Sequence, residues 1–235
     1  MFRVNGPYSG TDRQRAEALM DFYRDPEISA VFDLSGGDLA AGVLPYLDFG
    51  EIAAADKPLW GYSDLTSVLN AVYARTGRES VLYQPRHFLN QNPRTVREAL
   101  QTGSGDLFSV SGRFLRGEKA EGILIGGNLR CFLKLAGTPW FPDPAGKILL
   151  LEARSGGSAR IAAGMHQLSQ MGVFRKAAGV VLGTFTQAEQ EKQIPSPERI
   201  LLDLTDGSLP VYKTEDVGHS PFAHAAVIGR FYRFS

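Results

Sequence analysis

The sequence predicts an α/β fold, with parallel strands covered by helices, divided into two lobes. Three observations carry this. Short apolar runs alternate with stretches of 3.6-residue apolar rhythm, the pattern of successive strand–helix units. Glycines, 26 of 235 residues, gather at the ends of apolar runs, where they mark sharp turns rather than flexible repeats. Between residues 84 and 117 the alternation stops, and prolines with polar runs such as Asn90-Gln91-Asn92-Pro93 and Gln101-Thr102-Gly103-Ser104-Gly105 read as a connector. The chain is therefore divided into an amino-terminal lobe over 1–85, a connector over 86–117 and a carboxy-terminal lobe over 118–235.

The elements follow in order. Ala30-Val31-Phe32-Asp33-Leu34 reads as a strand ending in the turn Gly36-Gly37. A second strand over 58–61 runs into Gly61-Tyr62-Ser63-Asp64, and a helix over 65–75 begins at once, since Leu65, Val68, Leu69, Val72 and Tyr73 share one face. Past the connector come a strand over 122–125, a turn at Gly126-Gly127-Asn128, a helix over 129–136, and a strand over 147–151 ending at Glu152. A helix over 159–171 and a strand over 178–183 follow, and Gly218-His219 precedes a last strand over 227–234. No internal repeat or low-complexity tract interrupts this order.

Composition narrows the function. Lys plus Arg and Asp plus Glu number 25 each, so no global field draws the chain to nucleic acid or an anionic membrane. Cys131 is the only cysteine, which excludes an internal disulfide and fits a reducing compartment; beside Phe132 and Leu133 it reads as a buried structural thiol. No run approaches the roughly 18 apolar residues that span a bilayer, and the opening is too polar for a secretory signal, so the cytoplasm is the expected location. No pair of His, Cys or acidic residues has a convincing ligand spacing, and neither a metal nor a cofactor is expected. His166, in a helical run with Ile161, Met165 and Leu168, reads as a packed or rim residue, while His87 and His224 have no nameable partner.

Ser63 is placed for chemistry. A strand-to-helix turn holds a hydroxyl at the carboxyl end of a sheet, where clefts form, beside the free N–H groups of a helix start. The same position suits a plain helix cap, because Ser and Asp both accept from such N–H groups. Gly36-Gly37 is equally a simple tight turn, and Ser35-Gly36-Gly37-Asp38-Leu39-Ala40-Ala41-Gly42 lacks the G-x-G-x-x-G spacing of a dinucleotide site. In isolation Glu152 is a strand-end carboxylate and His219 a loop histidine.

Taken together and in order, several segments resemble the LD-carboxypeptidase family of serine peptidases. They are Asp25-Pro26-Glu27-Ile28, the Gly36-Gly37 turn, Leu44-Pro45-Tyr46-Leu47-Asp48, Gly61-Tyr62-Ser63-Asp64 and Gly126-Gly127-Asn128-Leu129. Leu135-Ala136-Gly137-Thr138-Pro139, Gly146-Lys147-Ile148-Leu149-Leu150-Leu151-Glu152 and Val180-Val181-Leu182-Gly183-Thr184-Phe185 continue the match over nearly the whole chain. The resemblance implies a Rossmann-like amino-terminal lobe bearing the serine, a strand-rich α/β carboxy-terminal lobe bearing a glutamate and a histidine, and a site in the cleft between them.

Carried over residue by residue, it implies a triad of Ser63 as nucleophile, His219 as base and Glu152 as the group orienting the imidazole. For the oxyanion the expected donors are the N–H groups of Gly37 and Asp64, with Gly36 and Asn128 lining the substrate site. The implied partner is a small peptide or peptidoglycan fragment, with no nucleic acid and no membrane; a homodimer is left open. Family enzymes remove a terminal D-alanine from recycled murein tetrapeptide by cutting after an L-centre. Relatives similar to microcin C immunity proteins use the same triad on an aminoacyl-nucleotide-like toxin.

This sequence departs from the family pattern in three places. Ser35 replaces the arginine that usually precedes the glycine pair, which removes a cation from the cleft mouth. Asp216-Val217-Gly218-His219-Ser220 keeps the histidine and its glycine but not their usual surroundings. Family chains also begin with a further strand and helix, about 30 to 50 residues, that this chain does not show, so the first lobe is expected to lack its first βα unit. That last departure supports a third reading, a binding protein of the same fold without catalysis.

Overall fold

In the computed structural model, which describes residues 4–5 and 8–235, the apolar runs form two main sheets and one small hairpin. The hairpin pairs β1 (Val4–Asn5) with β2 (Tyr8–Ser9). The opening segment, to which the expectation of a missing strand and helix attaches, lies partly outside the described residues. Helix α1 (Asp12–Arg24) starts at a reciprocal cap: Thr11 Oγ1 accepts from the Gln14 N–H and Gln14 Oε1 from the Thr11 N–H.

The first sheet is built from β3 (Val31–Phe32), β4 (Leu59–Gly61) and β5 (Ser80–Leu82), all parallel, with helices α2 (Phe49–Ala55) and α3 (Thr66–Thr76) between successive strands. The expected strand over 30–34 shortens to two residues because the Asp33 carboxylate accepts from both the N–H and the hydroxyl of Ser35, turning the chain early. The first two turns of helix α3 are buried all round: Val68, Leu69, Ala71 and Val72 pack in the core, and the buried polar residues Thr66, Ser67 and Asn70 are hydrogen-bonded.

The connector holds more structure than expected. Helix α4 (Pro93–Thr102) occupies it, capped by the Asn92 side chain, with Pro93 at the first helical position and Gly103 in the left-handed conformation just past the end. These prolines and glycines mark a helix start and stop rather than an irregular coil. Strand β6 (Arg113–Arg116) then joins the second sheet.

That second sheet has six strands in the order β12, β7, β8, β9, β10, β6. Strands β7 (Ala120–Asn128), β8 (Ile148–Ala153), β9 (Gly179–Phe185) and β10 (Val211–Lys213) run parallel. Between them lie α5 (Leu129–Leu133), α6 (Ser158–Gln170), α7 (Val173–Lys176), α8 (Thr186–Gln190) and α9 (Pro197–Leu204). The last predicted strand is two strands in two sheets. β11 (Ala226–Ile228) crosses back to pair with β5 of the first sheet, and β12 (Phe231–Phe234) pairs antiparallel with β7.

β8 shows how the lobes meet. All six of its residues are buried, and successive side chains point to opposite faces. Leu149 and Leu151 pack with Ile161, Met165 and Leu168 of α6, whereas Ile148 and Leu150 join the cluster containing Val68, Leu69 and Leu82 of the first lobe. Glu152 continues the register of Ile148 and Leu150, so a carboxylate is carried on the face that looks toward the first lobe.

Gly126 and Gly127 lie inside β7, not in a turn as expected. Both have positive φ, and a Cβ on Gly127 would lie 3.0 Å from Thr66 Oγ1 and from Leu82 Cδ2. Side chains there would hold α3 away from the sheet. The contact is also polar. Asn70 of α3, fully buried, donates to the Gly126 carbonyl and accepts from its N–H, each at 2.8 Å, and Thr66 Oγ1 accepts from the Asn128 N–H at 3.1 Å.

Candidate active site

Ser63 lies at the end of β4 in a short 3₁₀ turn over Ser63–Leu65, directly ahead of α3. Its φ is +54°, a left-handed conformation uncommon outside glycine, asparagine and aspartate. Such an angle turns a side chain out of the strand path, and its retention at a strand-to-helix turn marks a constrained position. A capping role does not account for it. Neither the 3₁₀ turn nor α3 has a side-chain cap, and among the described residues Ser63 Oγ makes no hydrogen bond.

Glu152 and His219 meet across the second lobe. Glu152 is fully buried, and its Oε2 lies 2.8 Å from His219 Nδ1, while Oε1 accepts from Asn128 Nδ2 at 3.1 Å. A carboxylate on Nδ1 favours the tautomer with its proton there, which leaves Nε2 free to accept. Close backbone approach fixes the histidine: a Cβ on Gly218 would overlap Thr184 Oγ1, and one on Gly183 would sit 2.4 Å from the Val217 carbonyl oxygen. Thr184 N–H donates to that same carbonyl at 2.9 Å, seating the His219 loop on the end of β9.

Tyr62 bridges the two halves. Its ring, one residue before Ser63, packs 4.7 Å from the His219 ring at 62°. Its buried hydroxyl makes no hydrogen bond of good geometry, and the Glu152 carboxylate is the charged group beside it. Burial first, and then the nearby Glu152 carboxylate, hold this phenol protonated well above its ordinary pKa.

The glycine loop is tied to the serine turn by Asp64. One oxygen of this buried carboxylate accepts from the Ala40 N–H at 2.7 Å, and the other pairs with Lys134, whose ammonium also donates to the Asp38 carbonyl at 2.7 Å. Residues 36–40 are thereby held beside residues 63–64. Among the described residues the N–H groups of Gly37 and Asp64 have no acceptor within the protein. Gly37 adopts φ +146° with open space around it, and Gly36 is exposed next to it. Gly37 lies in an exposed loop, whereas Asp64 is buried.

The other residues singled out from the sequence separate clearly in space. The Asn128 side chain is 5% exposed, with its oxygen capping Cys131 N–H and its nitrogen on Glu152, so its contacts hold the carboxylate rather than line an open surface. Burial pushes the Cys131 thiol up to about 12, the state of a structural cysteine. His166 is exposed on α6, and His224 Nδ1 lies 2.6 Å from the Ser109 carbonyl oxygen. His87 stands on the 3₁₀ turn Pro85–Asn90 and is lowered in pKa by burial, then by His219 and Arg86. Tyr62 lies inside the Gly61-Tyr62-Ser63-Asp64 segment but nothing in the sequence gives it a role, and Lys134 carries no signal beyond standing next to Leu135-Ala136-Gly137-Thr138-Pro139. Among the described residues no group of three His, Cys, Asp or Glu is placed to hold a metal, and no helix is long and apolar enough to cross a membrane.

Residues 2–83 match the LD-carboxypeptidase N-terminal domain and residues 121–234 the LD-carboxypeptidase C-terminal domain. The murein tetrapeptide carboxypeptidase of Pseudomonas aeruginosa is 32% identical over 243 residues, covering 94% of this chain and 78% of that protein. The microcin C7 self-immunity protein of Escherichia coli is 26% identical over 254 residues, covering 90% of this chain and 72% of that protein. Among solved structures, the muramoyltetrapeptide carboxypeptidase from Oxalobacter formigenes matches with a TM-score of 0.81 at 25% identity, over 99% of this chain and 84% of that one.

Proposed function

This chain belongs to the LD-carboxypeptidase family and is a peptidase, and we propose that it is a serine carboxypeptidase that releases a terminal D-alanine from murein tetrapeptide. Ser63 Oγ attacks the carbonyl carbon of the amide that follows an L-centre, and His219 Nε2 takes the serine proton. The oxyanion is received by the N–H groups of Gly37 and Asp64. Collapse breaks the C–N bond, and His219 returns the proton to the departing amine. Water then attacks the acyl-serine by the same route, freeing the shortened peptide. Glu152 holds the imidazole in its tautomer and offsets its positive charge; Asn128 holds Glu152. We place this reaction in the cytoplasm, on a recycled fragment.

The observation that carries the proposal is the 2.8 Å bond between buried Glu152 and His219 Nδ1, which leaves the opposite ring nitrogen as the base. The test is hydrolysis of murein tetrapeptide by the wild type and by Ser63→Ala, followed as free D-alanine. Covalent labelling by a fluorophosphonate should be lost in the same variant. Equal turnover by both proteins would end the serine assignment.

One observation favours a second reading, hydrolysis of an aminoacyl nucleotide. Phe222 is 69% exposed three residues beyond His219, a ring available to stack on a nucleobase. An aminoacyl sulfamoyl adenosine offered beside murein tetrapeptide separates the two by their kcat/KM ratio.

A further inference from the structure

A carboxypeptidase must recognise a free carboxylate next to the bond it cuts. We propose that Arg86 supplies this recognition, its guanidinium binding the α-carboxylate of the departing residue; the proposal rests on the serine carboxypeptidase reading above.

The geometry of the leaving residue limits where such a cation can stand. Three bonds separate the attacked carbonyl carbon from the terminal carboxyl carbon, which puts them at most about 4 Å apart. The cation must therefore border the serine turn and the Gly36-Gly37 loop. Arg86 does so. It stands on the Pro85–Asn90 turn, and its Nη2 donates to the Leu34 carbonyl at 2.7 Å, three residues before Gly37. At the far end of the same turn Gln91 Nε2 donates to the Ala223 carbonyl at 3.4 Å, four residues beyond His219, which sets the turn against the histidine loop.

Charge balance separates Arg86 from its neighbours. Arg15 is paired with Asp12, Arg130 with Asp38, and Lys134 with Asp64 and Asp38. Among the described residues Arg86 has no acidic partner. A guanidinium carries five N–H donors in a planar fork, and one carbonyl uses one of them. The remainder can take a carboxylate through two parallel bonds while the carbonyl keeps the fork in place. Because Leu34 lies in the same loop as Gly37, one backbone segment then positions both the carboxylate and the oxyanion donor.

Equilibrium binding tests this without turnover. In full-length Ser63→Ala protein, calorimetry should show murein tetrapeptide binding about 10- to 100-fold tighter than the same peptide amidated only at its C-terminus, the range of a charge-assisted contact. Adding Arg86→Ala should weaken the free acid to the level of the amide and leave the amide unchanged. Arg86→Lys should recover part of the difference, since it keeps the charge and loses the fork. Arg154→Ala, at another cation beyond the end of β8, should keep the full preference. The proposal is overturned if Ser63→Ala shows no preference for the acid, if Arg86→Ala leaves the preference intact, or if Arg154→Ala removes it. A wild type that hydrolyses neither peptide, with the Arg86-dependent preference present, would remove the serine mechanism and leave Arg86 as the carboxylate site.

Discussion

The serine turn of the first lobe and the glutamate–histidine pair of the second are held in place by different means. Backbone geometry fixes the serine: φ is +54°, Leu65 N–H bonds the Tyr62 carbonyl at 3.0 Å, and Ser67 Oγ bonds the Asp64 carbonyl at 2.9 Å. Side chains fix the pair, with both Glu152 oxygens engaged and His219 packed against Tyr62. In the proposed mechanism the second lobe holds the base, with Tyr62 of the first lobe packed on it, and the first lobe carries the nucleophile. Their relative placement depends on the seam where Asn70 and Thr66 of α3 meet Gly126 and Asn128 of β7. On the proposed mechanism that seam sets the spacing of the reacting groups.

The largest effect should come from removing either half. Ser63→Ala and His219→Ala should each lower kcat by about 10⁴-fold or more with the thermal midpoint nearly unchanged, because the two act as one unit. For the same reason the double variant should be hardly worse than either single one. Simple multiplication of the two losses would mean that the lobes work independently. Glu152→Gln should follow at about 10³- to 10⁴-fold, since an amide keeps the shape yet does not hold the imidazole in the same tautomer or offset its charge.

The two regions also differ in how far the sequence disclosed them. The serine turn was legible, because Leu65, Val68, Leu69 and Val72 announce a helix and Gly61 leaves room for the Leu65 side chain, which a Cβ would meet at 2.8 Å. Family resemblance also supplied Glu152 and His219, but nothing in one dimension shows that a carboxylate at the end of an apolar strand is fully buried. Strand register decides that. The crossing of β11 into the first sheet was hidden for a related reason: Gly229-Arg230 parts Val227-Ile228 from Phe231-Tyr232, and such a break does not say which edge each half will pair with. The seam was missed because Asn70 reads as a polar break in a helix face until Gly126 is placed opposite it.

Intermediate effects should come from that seam. Asn70→Ala leaves the Gly126 N–H and carbonyl unpartnered in the interior, which should cost about 2–4 kcal/mol of stability by denaturant titration. If the seam aligns the two halves, kcat should fall as well, by about tenfold. Asn92→Ala is the contrast. It removes the cap of α4 and should cost about 1 kcal/mol with kcat unchanged. A normal kcat in folded Asn70→Ala would confine the seam to stability. At the cleft mouth, His87→Gln should leave the acid-over-amide preference within about twofold at pH 7.5, because a histidine whose pKa is lowered is already neutral there.

Tyr62→Phe should have the smallest effect and most sharply divides what the first lobe contributes to the second. The ring stays, so the packing at 4.7 Å against His219 is kept; only the buried, unpartnered hydroxyl near Glu152 is lost. Its pKa is raised, so the phenol is protonated at every pH at which a histidine base works, and no phenolate forms within that range. Tyr62→Phe should therefore change kcat by less than about threefold and leave the alkaline side of the pH–rate profile where it was. Tyr62→Ala removes the ring as well, frees the imidazole to move, and should lower kcat by about 10- to 100-fold with KM little changed. If Tyr62→Phe instead moves the alkaline limb, the hydroxyl titrates during turnover, and the first lobe supplies a proton-transfer group as well as the nucleophile.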